Sequence, residues 1–322
     1  MADKIWMTGL TWLDLIGLAI ATGALVETLW LFPAAQPAGG KAENIGGHGH
    51  PARRLFGLSL CLLSVSTLGL LWARTVTMSG MSWREALPEV PLILQQTHFG
   101  GVWLWRLAIL ALGWVAWWRW YYSGTAKRGL LSVALLLTAA VAFTRSATGH
   151  PADQGDFTLR EFSDWLHMMA AALWTGSVIG SAIMLSPWLR DRQPAAVRTS
   201  IGSINRLSGL AGLALALLLA TGIVNAWWAL PTFADLWTTT YGHTLLAKLT
   251  LTAVLIATGA LNRYYFLPGL RALEAGSDNA SAAENMSSLH NRFAMSLIIE
   301  ALLMLLVLSV AASLTQGAPP QP

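Results

Sequence analysis

Charge and cysteine are both scarce in this sequence. Only 11% of the 322 residues are Asp, Glu, Lys or Arg, and Cys61 is the one cysteine. Soluble domains are about a quarter charged, so this chain lacks the polar surface that a globule of its size needs in water. A lone cysteine excludes a disulfide within the chain and a cysteine-based metal site. Any soft metal would therefore be bound by histidine, methionine or carboxylate.

The chain also lacks a nucleotide-binding motif, a soluble domain and an internal repeat. Because there is no nucleotide motif, we expect any movement of a substrate to be passive or coupled to another gradient. Nothing in the sequence points to nucleic-acid binding. These absences predict a binding or transport protein and not an enzyme.

Long apolar segments and tryptophan are what the sequence has in abundance. Hydrophobic residues make up 55% of the chain, and 17 residues are tryptophan, which favours the membrane interface. A bilayer core about 30 Å thick needs roughly 20 apolar residues per helix. Eight segments qualify: 11–32, 55–73, 100–118, 129–147, 163–186, 207–230, 243–267 and 293–315. We therefore predict an all-α polytopic membrane protein, a bundle of about eight transmembrane helices that forms one transmembrane domain over residues 1–322.

Three features of these segments refine that prediction. The first span carries Asp14 and Glu27 and exceeds the roughly 7–15 apolar residues of a signal-peptide core, so we expect it to remain as a helix. The stretch SWREALPEVPLILQQTHF, before the third span, has too many charges and prolines to cross a membrane, and we expect an interfacial helix there. The pattern Gly176-x3-Gly180 favours close packing of helices in lipid.

The distribution of Lys and Arg predicts the orientation, because cytoplasmic loops carry the excess of positive charge. The loops after spans 1, 3, 5 and 7 hold Lys41, Arg53, Arg54, Arg119, Lys127, Arg128, Arg190, Arg192, Arg198, Arg206, Arg263, Arg271 and Arg292, thirteen in all. The opposite side holds five: Lys4, Arg74, Arg84, Arg145 and Arg160. Both termini are therefore expected outside, in the periplasm of a bacterial inner membrane.

Four of the seven histidines fall on the predicted outer side, each beside a different span: His98, His150, His167 and His243. A histidine at a membrane interface often merely hydrogen-bonds to backbone, lipid headgroups or water, and His243 fits that interpretation well. In the predicted inner loop, the sequence GGHGHP contains His48 and His50. Two histidines in a glycine-rich loop favour a flexible turn over a metal-binding tract.

His167 has the surroundings that most favour a metal site. Asp164 precedes it by one helical turn and so shares its face of span 5. A carboxylate there would orient the imidazole, as carboxylates do for metal-bound histidines. A purely structural pair would show the same spacing, so the pattern favours neither. Met168, next to His167, and the outer-loop pair Met78 and Met81 add thioethers, which favour copper but also serve for packing.

Ionisable residues inside the spans are candidates for a pathway, because each costs roughly 2.5–3.5 kcal/mol at the bilayer centre. They are Asp14, Glu27, Arg106, Lys248 and Glu300. Glu300 is the deepest and must find a partner or take up a proton. Arg106 and Lys248 enter from outside and either extend toward the interface or serve a function. With Glu27 and Glu300 in the inner half, the sequence predicts either a two-stage path for a cation or an outer site above separate ion pairs.

Several stretches together resemble the copper resistance protein D (CopD) family. They are QQTHFGGVWLWR, RSATGH, WLHMMAAALWTGSV, RLSGLAGLALALLLATGIVNAWWAL, TTTYGHTLLAKLTLTAVLIATGALNRYYFLP and RFAMSLIIEALLMLLVLSVAASLT. Their order and spacing define a CopD-like core from about residue 145 to 315. The first two spans match the family only in general character.

This resemblance implies an inner-membrane protein of copper homeostasis that works with a periplasmic copper-binding protein of the CopC type. It nominates His98, His150 and His167 as the residues that handle the copper ion and Glu300 as the intramembrane carboxylate. The chain carries no appended CopC-like domain, so we expect such a partner to be a separate protein. The lipid bilayer is the second expected partner, and a homo-oligomer is a further assembly to test.

We expect the three imidazoles to converge just under the outer surface, bind copper and pass it across or into the membrane. Two alternatives share part of this site. In the first, the protein delivers copper to a partner without vectorial transport. In the second, it moves electrons through a b-type haem held between two histidines, for which His98 and His167 are conceivable axial ligands.

Overall fold

The computed structural model describes residues 2–31, 49–123, 127–190, 194–275 and 280–320, and nearly all of them are helical. In chain order the α-helices are α1 (Ala2–Val26), α2 (Gly49–Ser79), α3 (Val90–Gln96), α4 (His98–Ser123), α5 (Arg128–Ser146), α6 (Leu159–Arg190), α7 (Pro194–Ala229), α8 (Asp235–Thr238), α9 (Thr240–Leu261), α10 (Leu267–Ala275) and α11 (Ala280–Thr315). No strand occurs within these ranges.

Eight of these helices are long and apolar enough to cross a membrane, which confirms the predicted all-α polytopic architecture. They are α1, α2, α4, α5, α6, α7, α9 and α11, with α9 continued by its following turns. A helix satisfies its backbone hydrogen bonds within one segment, as lipid requires. Several helices extend past the predicted spans; α2 runs from Gly49 to Ser79, whereas its apolar run predicted only 55–73. The additional turns carry polar residues, which end an apolar run without ending a helix.

The first and last described residues lie at the same end of the bundle, because the eight spans alternate in direction. Gln316 Nε2, just beyond α11, donates a hydrogen bond to Thr11 Oγ1 of α1 at 3.1 Å. We call this end the terminal face; it includes the starts of α4, α6 and α9 and the segment between α5 and α6. The other end is called the opposite face.

Helices α1 and α6 lie side by side at the centre and touch backbone to backbone. A Cβ added at Gly176 would overlap the Ala19 carbonyl and the Gly23 amide, and one added at Gly23 would overlap the Gly176 backbone. Gly180, one turn further, leaves room for Glu27, whose Cγ would lie 2.9 Å from an added Cβ. The predicted small-residue pattern therefore lies at the contact between these two helices.

An apolar cluster fills each half of the bundle. In the first half, buried side chains of α1, α2, α4 and α5 meet, among them Leu25, Phe56 and Trp120. In the second half, α6, α7, α9 and α11 contribute a cluster that includes Trp174 and Phe293. The central helices α1 and α6 connect the two halves.

A buried ion pair joins the four helices of the first half. Arg106 of α4 and Asp14 of α1 are paired, and neither side chain is exposed. The guanidinium also donates to Thr67 Oγ1 at 2.9 Å and to Val141 O and Thr144 Oγ1, each at 3.0 Å. The interpretation in which Arg106 extends toward the interface is therefore wrong, because neighbouring helices supply all these partners inside the bundle.

The segment ahead of α4 forms the short helix α3, in the place where an interfacial helix is expected. None of the α3 residues is buried. Trp72 Nε1 of α2 donates to Trp83 O at 2.8 Å and ties the segment to the bundle. Thr97 Oγ1 accepts a hydrogen bond from Gly100 N at 2.9 Å and so caps the start of α4. The location of α3 at a lipid interface stays a prediction.

Candidate functional site

Two histidine–aspartate pairs lie at the terminal face, in and around the segment between α5 and α6. His98 Nε2, at the start of α4, lies 2.8 Å from Asp156 Oδ1, and His150 Nδ1 lies 3.5 Å from Asp153 Oδ2. The two imidazoles are 55% and 50% exposed. The 3₁₀ turn His150–Gln154 places the second pair within a single turn of chain. We call these two pairs the rim; they present imidazole and carboxylate groups at the end of the bundle.

His167 lies about two turns into α6, and both of its ring nitrogens have partners. Nδ1 is 3.0 Å from Thr221 Oγ1 of α7, and Nε2 is 3.3 Å from Lys248 Nζ of α9. Thr221 donates its own hydroxyl proton to Leu217 O at 2.6 Å, so its oxygen accepts a hydrogen bond from Nδ1. A neutral imidazole carries one N–H. With that proton on Nδ1, the lone pair of Nε2 is directed at the ammonium of Lys248.

This hydrogen-bond pattern is compatible with a metal-binding histidine. Such a histidine typically donates the N–H of one ring nitrogen to a protein oxygen, which fixes the ring and leaves the other nitrogen for the metal. Thr221 supplies that oxygen for His167. The ring is therefore oriented by α7 and offers the electron pair of Nε2 to a cation.

Asp164 has a different role from the one expected of its spacing. The partners of the His167 ring include Thr221, Lys248 and the backbone of Leu218, and not the carboxylate one turn before it. Asp164 instead makes a side-chain hydrogen bond with Ser146 of α5 and interacts electrostatically with Lys248 of α9 and Arg145 of α5. The Asp164 carboxylate thus attracts the Lys248 side chain that contacts the His167 imidazole. We call Asp164, His167, Thr221 and Lys248 the inner cluster.

The structure does not bring the three predicted copper ligands together. Among the residues that it describes, no three His, Cys, Asp or Glu side chains form a group that could hold a metal ion. His98 and His150 each pair with a carboxylate of the segment between α5 and α6, whereas His167 faces α7 and α9. The expected convergence of three imidazoles is therefore not met. Metal binding by each of these histidines stays a prediction.

The methionines and the other histidines named in the sequence analysis take no part in the hydrogen bonds of the inner cluster that the structure describes. Met78 and Met81, at the end of α2 and just beyond it, are 46% and 43% exposed. Met168 packs against the apolar cluster of the first half. His243 Nε2 lies 2.7 Å from Trp237 O, as the ordinary interpretation of that residue predicted. His48 and the side chain of His50 lie outside the described residues.

Glu300 of α11 lies in the part of the second half nearer the opposite face, and it is only 3% exposed. Its Oε2 accepts a hydrogen bond from Asn262 Nδ2 at 2.9 Å. Asn262 Oδ1 is buried and has no hydrogen-bond partner in the part of the chain that the structure covers. A cavity of about 270 Å³, lined in part by Trp174 and Phe293, borders both residues. A buried carboxylate and an amide without a partner for its oxygen therefore border a partly open cavity of the bundle.

Glu27 is the second predicted carboxylate of the pathway, and it is fully buried between α1 and α6. Its Oε1 accepts a hydrogen bond from Ser181 Oγ at 2.7 Å. Its Oε2 has no hydrogen-bond partner within the described ranges. Glu27 begins the π-helical turn Glu27–Leu31, and Asn262, the partner of Glu300, begins the π-helical turn Asn262–Phe266. Such turns are frequent at functional sites, so both carboxylates lie beside irregular helix geometry.

Sequence reasoning did not identify Thr221 and did not pair Lys248 with His167. These residues are 54 and 81 positions away from His167 along the chain, and no local pattern connects them. One signal was present: Lys248 lies in the first turns of its span, at the same end of the bundle as His167. A shared depth in the membrane makes a contact feasible, but the packing of the helices decides it.

Two family models match consecutive parts of the chain. The model described as "Copper resistance protein D-like, N-terminal domain" matches residues 1–159, and the one described as "Copper resistance protein D" matches residues 201–314. The first match includes the stretches QQTHFGGVWLWR and RSATGH, and it extends the resemblance to the first two spans, which agree with the family only in general character.

Three curated relatives are similar to this chain. Copper resistance protein D of Pseudomonas syringae pv. tomato is 31% identical over 261 residues, which are 79% of this chain and 79% of that protein. Copper transport protein CutJ of Bacillus subtilis (strain 168) is 25% identical over 69% of this chain and 41% of its own length. Inner membrane protein YebZ of Escherichia coli (strain K12) is 24% identical over 60% of this chain and 63% of its own length. No solved structure matches the chain. With the eight apolar helices, these relatives identify a multi-pass inner-membrane protein.

Proposed function

Because this chain belongs to the copper resistance protein D family, we propose that it takes copper ions at the periplasmic face of the inner membrane and moves them across or into the membrane. Copper resistance and copper transport are the functions in the names of two of its relatives. In this proposal copper is the cargo of the protein, and the chain binds and transfers it without an enzymatic reaction.

The distribution of positive charge supports a periplasmic position for the terminal face. Of the 20 Lys and Arg residues, the predicted spans assign thirteen to the inner side and five to the side of the termini. Cytoplasmic loops carry this excess in inner-membrane proteins. The rim then meets the periplasm, where a separate copper-binding protein of the CopC type would deliver the ion to exposed imidazole and carboxylate groups.

The orientation of His167 is the observation that carries the proposal. Thr221 Oγ1 accepts from Nδ1 at 3.0 Å, so Nε2 presents its lone pair to the cation beside it. Imidazole is a suitable ligand for copper in either common oxidation state. The rim would receive the ion, and His167 would bind it inside the bundle.

A second station for the ion lies toward the opposite face. Asn262 follows Lys248 by fourteen residues along the helix that α9 begins, so it lies on nearly the same face, about 21 Å further along the axis. On α6, Trp174 follows His167 by two turns and borders the cavity of Glu300. The inner cluster is built from α6, α7 and α9, and these three helices, joined by α11, also line the cavity of Glu300 and Asn262. We propose that copper passes along the interface of these helices.

The alternatives make different demands on the same residues. A copper-delivery factor would use the rim and His167 but would move no copper into a closed compartment. A b-type haem would need two imidazoles directed at one iron between them. His98 is paired with Asp156, and His167 with Thr221 and Lys248, so no observation favours the haem.

Copper uptake into sealed vesicles that contain only this protein tests the proposal. We expect the wild type to accumulate copper and His167→Ala to lose at least about tenfold in initial rate, because one lost ligand bond of about 1.4 kcal/mol already gives that factor. His243→Ala is the matched control, since that histidine lies at the same face but contacts only the Trp237 carbonyl among the hydrogen bonds of the described chain. Equal rates in empty and protein-containing vesicles would contradict transport, and copper binding without uptake would favour the delivery factor.

A further inference from the structure

Lys248 is the least expected member of the inner cluster. Its Nζ lies 3.3 Å from His167 Nε2, the ring nitrogen that the hydrogen bond to Thr221 leaves with the lone pair. A lysine ammonium offers three donors and no acceptor, so one of its N–H groups points to that lone pair. The position that a metal ion would take at His167 is therefore held by a cation of the protein itself.

The charges around this contact make the two cations exclusive. Asp164 is the carboxylate that interacts with Lys248. With a neutral imidazole, an ionised Asp164 and an ammonium at Lys248, the inner cluster holds one positive and one negative charge. A copper ion bound at Nε2 with Lys248 still in contact would add an uncompensated positive charge within a few ångströms of the ammonium. Repulsion at that separation is strong in a partly buried site, so the ammonium and the metal cannot share Nε2.

We infer, on the basis of the proposed function, that Lys248 is a resident cation that copper displaces from His167. When copper arrives, the Lys248 ammonium leaves Nε2 and moves toward the Asp164 carboxylate. The carboxylate then neutralises the charge of the ammonium. When copper leaves for the next station, the ammonium returns to the imidazole. No covalent bond or electron is exchanged, and the step replaces one cation by another at the same nitrogen.

This exchange gives Lys248 a role in affinity and release. In the empty protein it neutralises Asp164 and provides a donor for the lone pair, so no buried group is left without a partner. In the loaded protein it competes with the metal and so keeps copper binding reversible. A lysine that served only to stabilise the fold would lower the stability of the protein when removed and would not tighten the binding of copper.

The test compares Cu(I) affinities of purified full-length protein, measured by competition with a colorimetric Cu(I) chelator. Lys248→Met and Lys248→Gln both remove the competing charge, and we expect copper to bind at least about tenfold more tightly to each, the factor that 1.4 kcal/mol of relieved repulsion gives. The amide of the glutamine variant still donates to Nε2, which protects the fold if the methionine variant is unstable. Lys248→Arg keeps a cation and should stay within about threefold of the wild type. Lys127→Met, at an exposed position before α5, controls for the loss of one positive charge.

His167→Ala, measured in the same assay, distinguishes a failure of the Lys248 displacement from a failure of the proposed function. If it weakens copper binding while the folded Lys248→Gln protein binds copper no more tightly than the wild type, the displacement is wrong and the proposed function stands. If it leaves copper binding unchanged, His167 is not a ligand, and both proposals are overturned at this site. Tighter binding in both charge-removing variants, abolished when His167→Ala is added, is the result that the inference predicts.

Discussion

At the scale of single residues, the inner cluster and the Glu300 site differ in what their hydrogen bonds leave available. His167 is oriented by Thr221 and offers one nitrogen to a cation. Glu300 accepts a hydrogen bond from Asn262, whose own amide oxygen has no hydrogen-bond partner among the residues described. The first site suits capture of the ion by nitrogen, and the second suits brief contact with oxygen. Imidazole nitrogen and carboxylate oxygen bind copper with different affinities, so in the proposed function the ion would move between sites of different affinity.

Replacement of Glu300 by glutamine should slow transport without loss of the fold. The glutamine amide can donate to Asn262 Oδ1, which now lacks a donor, so we expect the free energy of unfolding to change by less than about 1 kcal/mol. Removal of the carboxylate removes the charge that attracts the cation inside the membrane, so copper uptake into vesicles should fall by about tenfold or more. Copper affinity at His167 should be unchanged. Uptake at the wild-type rate in a folded Glu300→Gln protein would exclude Glu300 from the path.

The identities of the polar residues could be predicted from the sequence, but their partners could not. An ionisable residue inside an apolar run is visible locally, and Asp14, Glu27, Arg106, Lys248 and Glu300 all stand out in this way. Which of them meet depends on how the helices rotate and cross. Arg106 pairs with Asp14 across 92 positions, and His167 meets Lys248 across 81. Asp164 looked like the partner of His167 because helical spacing is the one distance that a sequence shows directly.

At the scale of helices, the contact of α1 with α6 holds the two halves of the bundle together. Lipid is as apolar as the side chains, so helix association in a membrane depends on close packing and interhelical hydrogen bonds. Gly23 and Gly176 permit the backbones to touch, and the hydrogen bond from Ser181 to Glu27 lies just beyond them. Close packing here therefore also sets the position of the Glu27 carboxylate.

Gly176→Ala should destabilise the protein, because the new methyl group would overlap the Ala19 carbonyl rather than a flexible side chain. Overpacking of this kind typically costs about 1–3 kcal/mol, and we expect a lower midpoint of thermal unfolding in detergent. Gly209→Ala in α7 is the matched control. An added Cβ there meets no atom within 4 Å, and alanine favours a helix over glycine by about 1 kcal/mol. Equal midpoints for the two variants would contradict the tight α1–α6 contact.

At the scale of the whole molecule, the chain is a helical bundle in which the rim, the inner cluster and the Glu300–Asn262 pair lie at different depths along the axis. Length and apolar runs were enough to predict eight spans, because each span must cover the bilayer on its own. The family models then showed that resemblance extends over residues 1–159 as well as 201–314. The arrangement of ligands was the part that the sequence could not supply: the rim and the inner cluster are separate, although all three histidines were assigned to one end of the bundle. In the proposed function, copper meets these groups in succession, and not as one three-histidine centre.

X-ray absorption spectroscopy of the copper-loaded, purified protein tests most directly whether His167 is a copper ligand. We predict imidazole scattering from the bound copper in the wild type and in His243→Ala, and the loss of one imidazole per bound copper in His167→Ala. An unchanged spectrum in His167→Ala, with copper still bound at the same stoichiometry, would contradict the account.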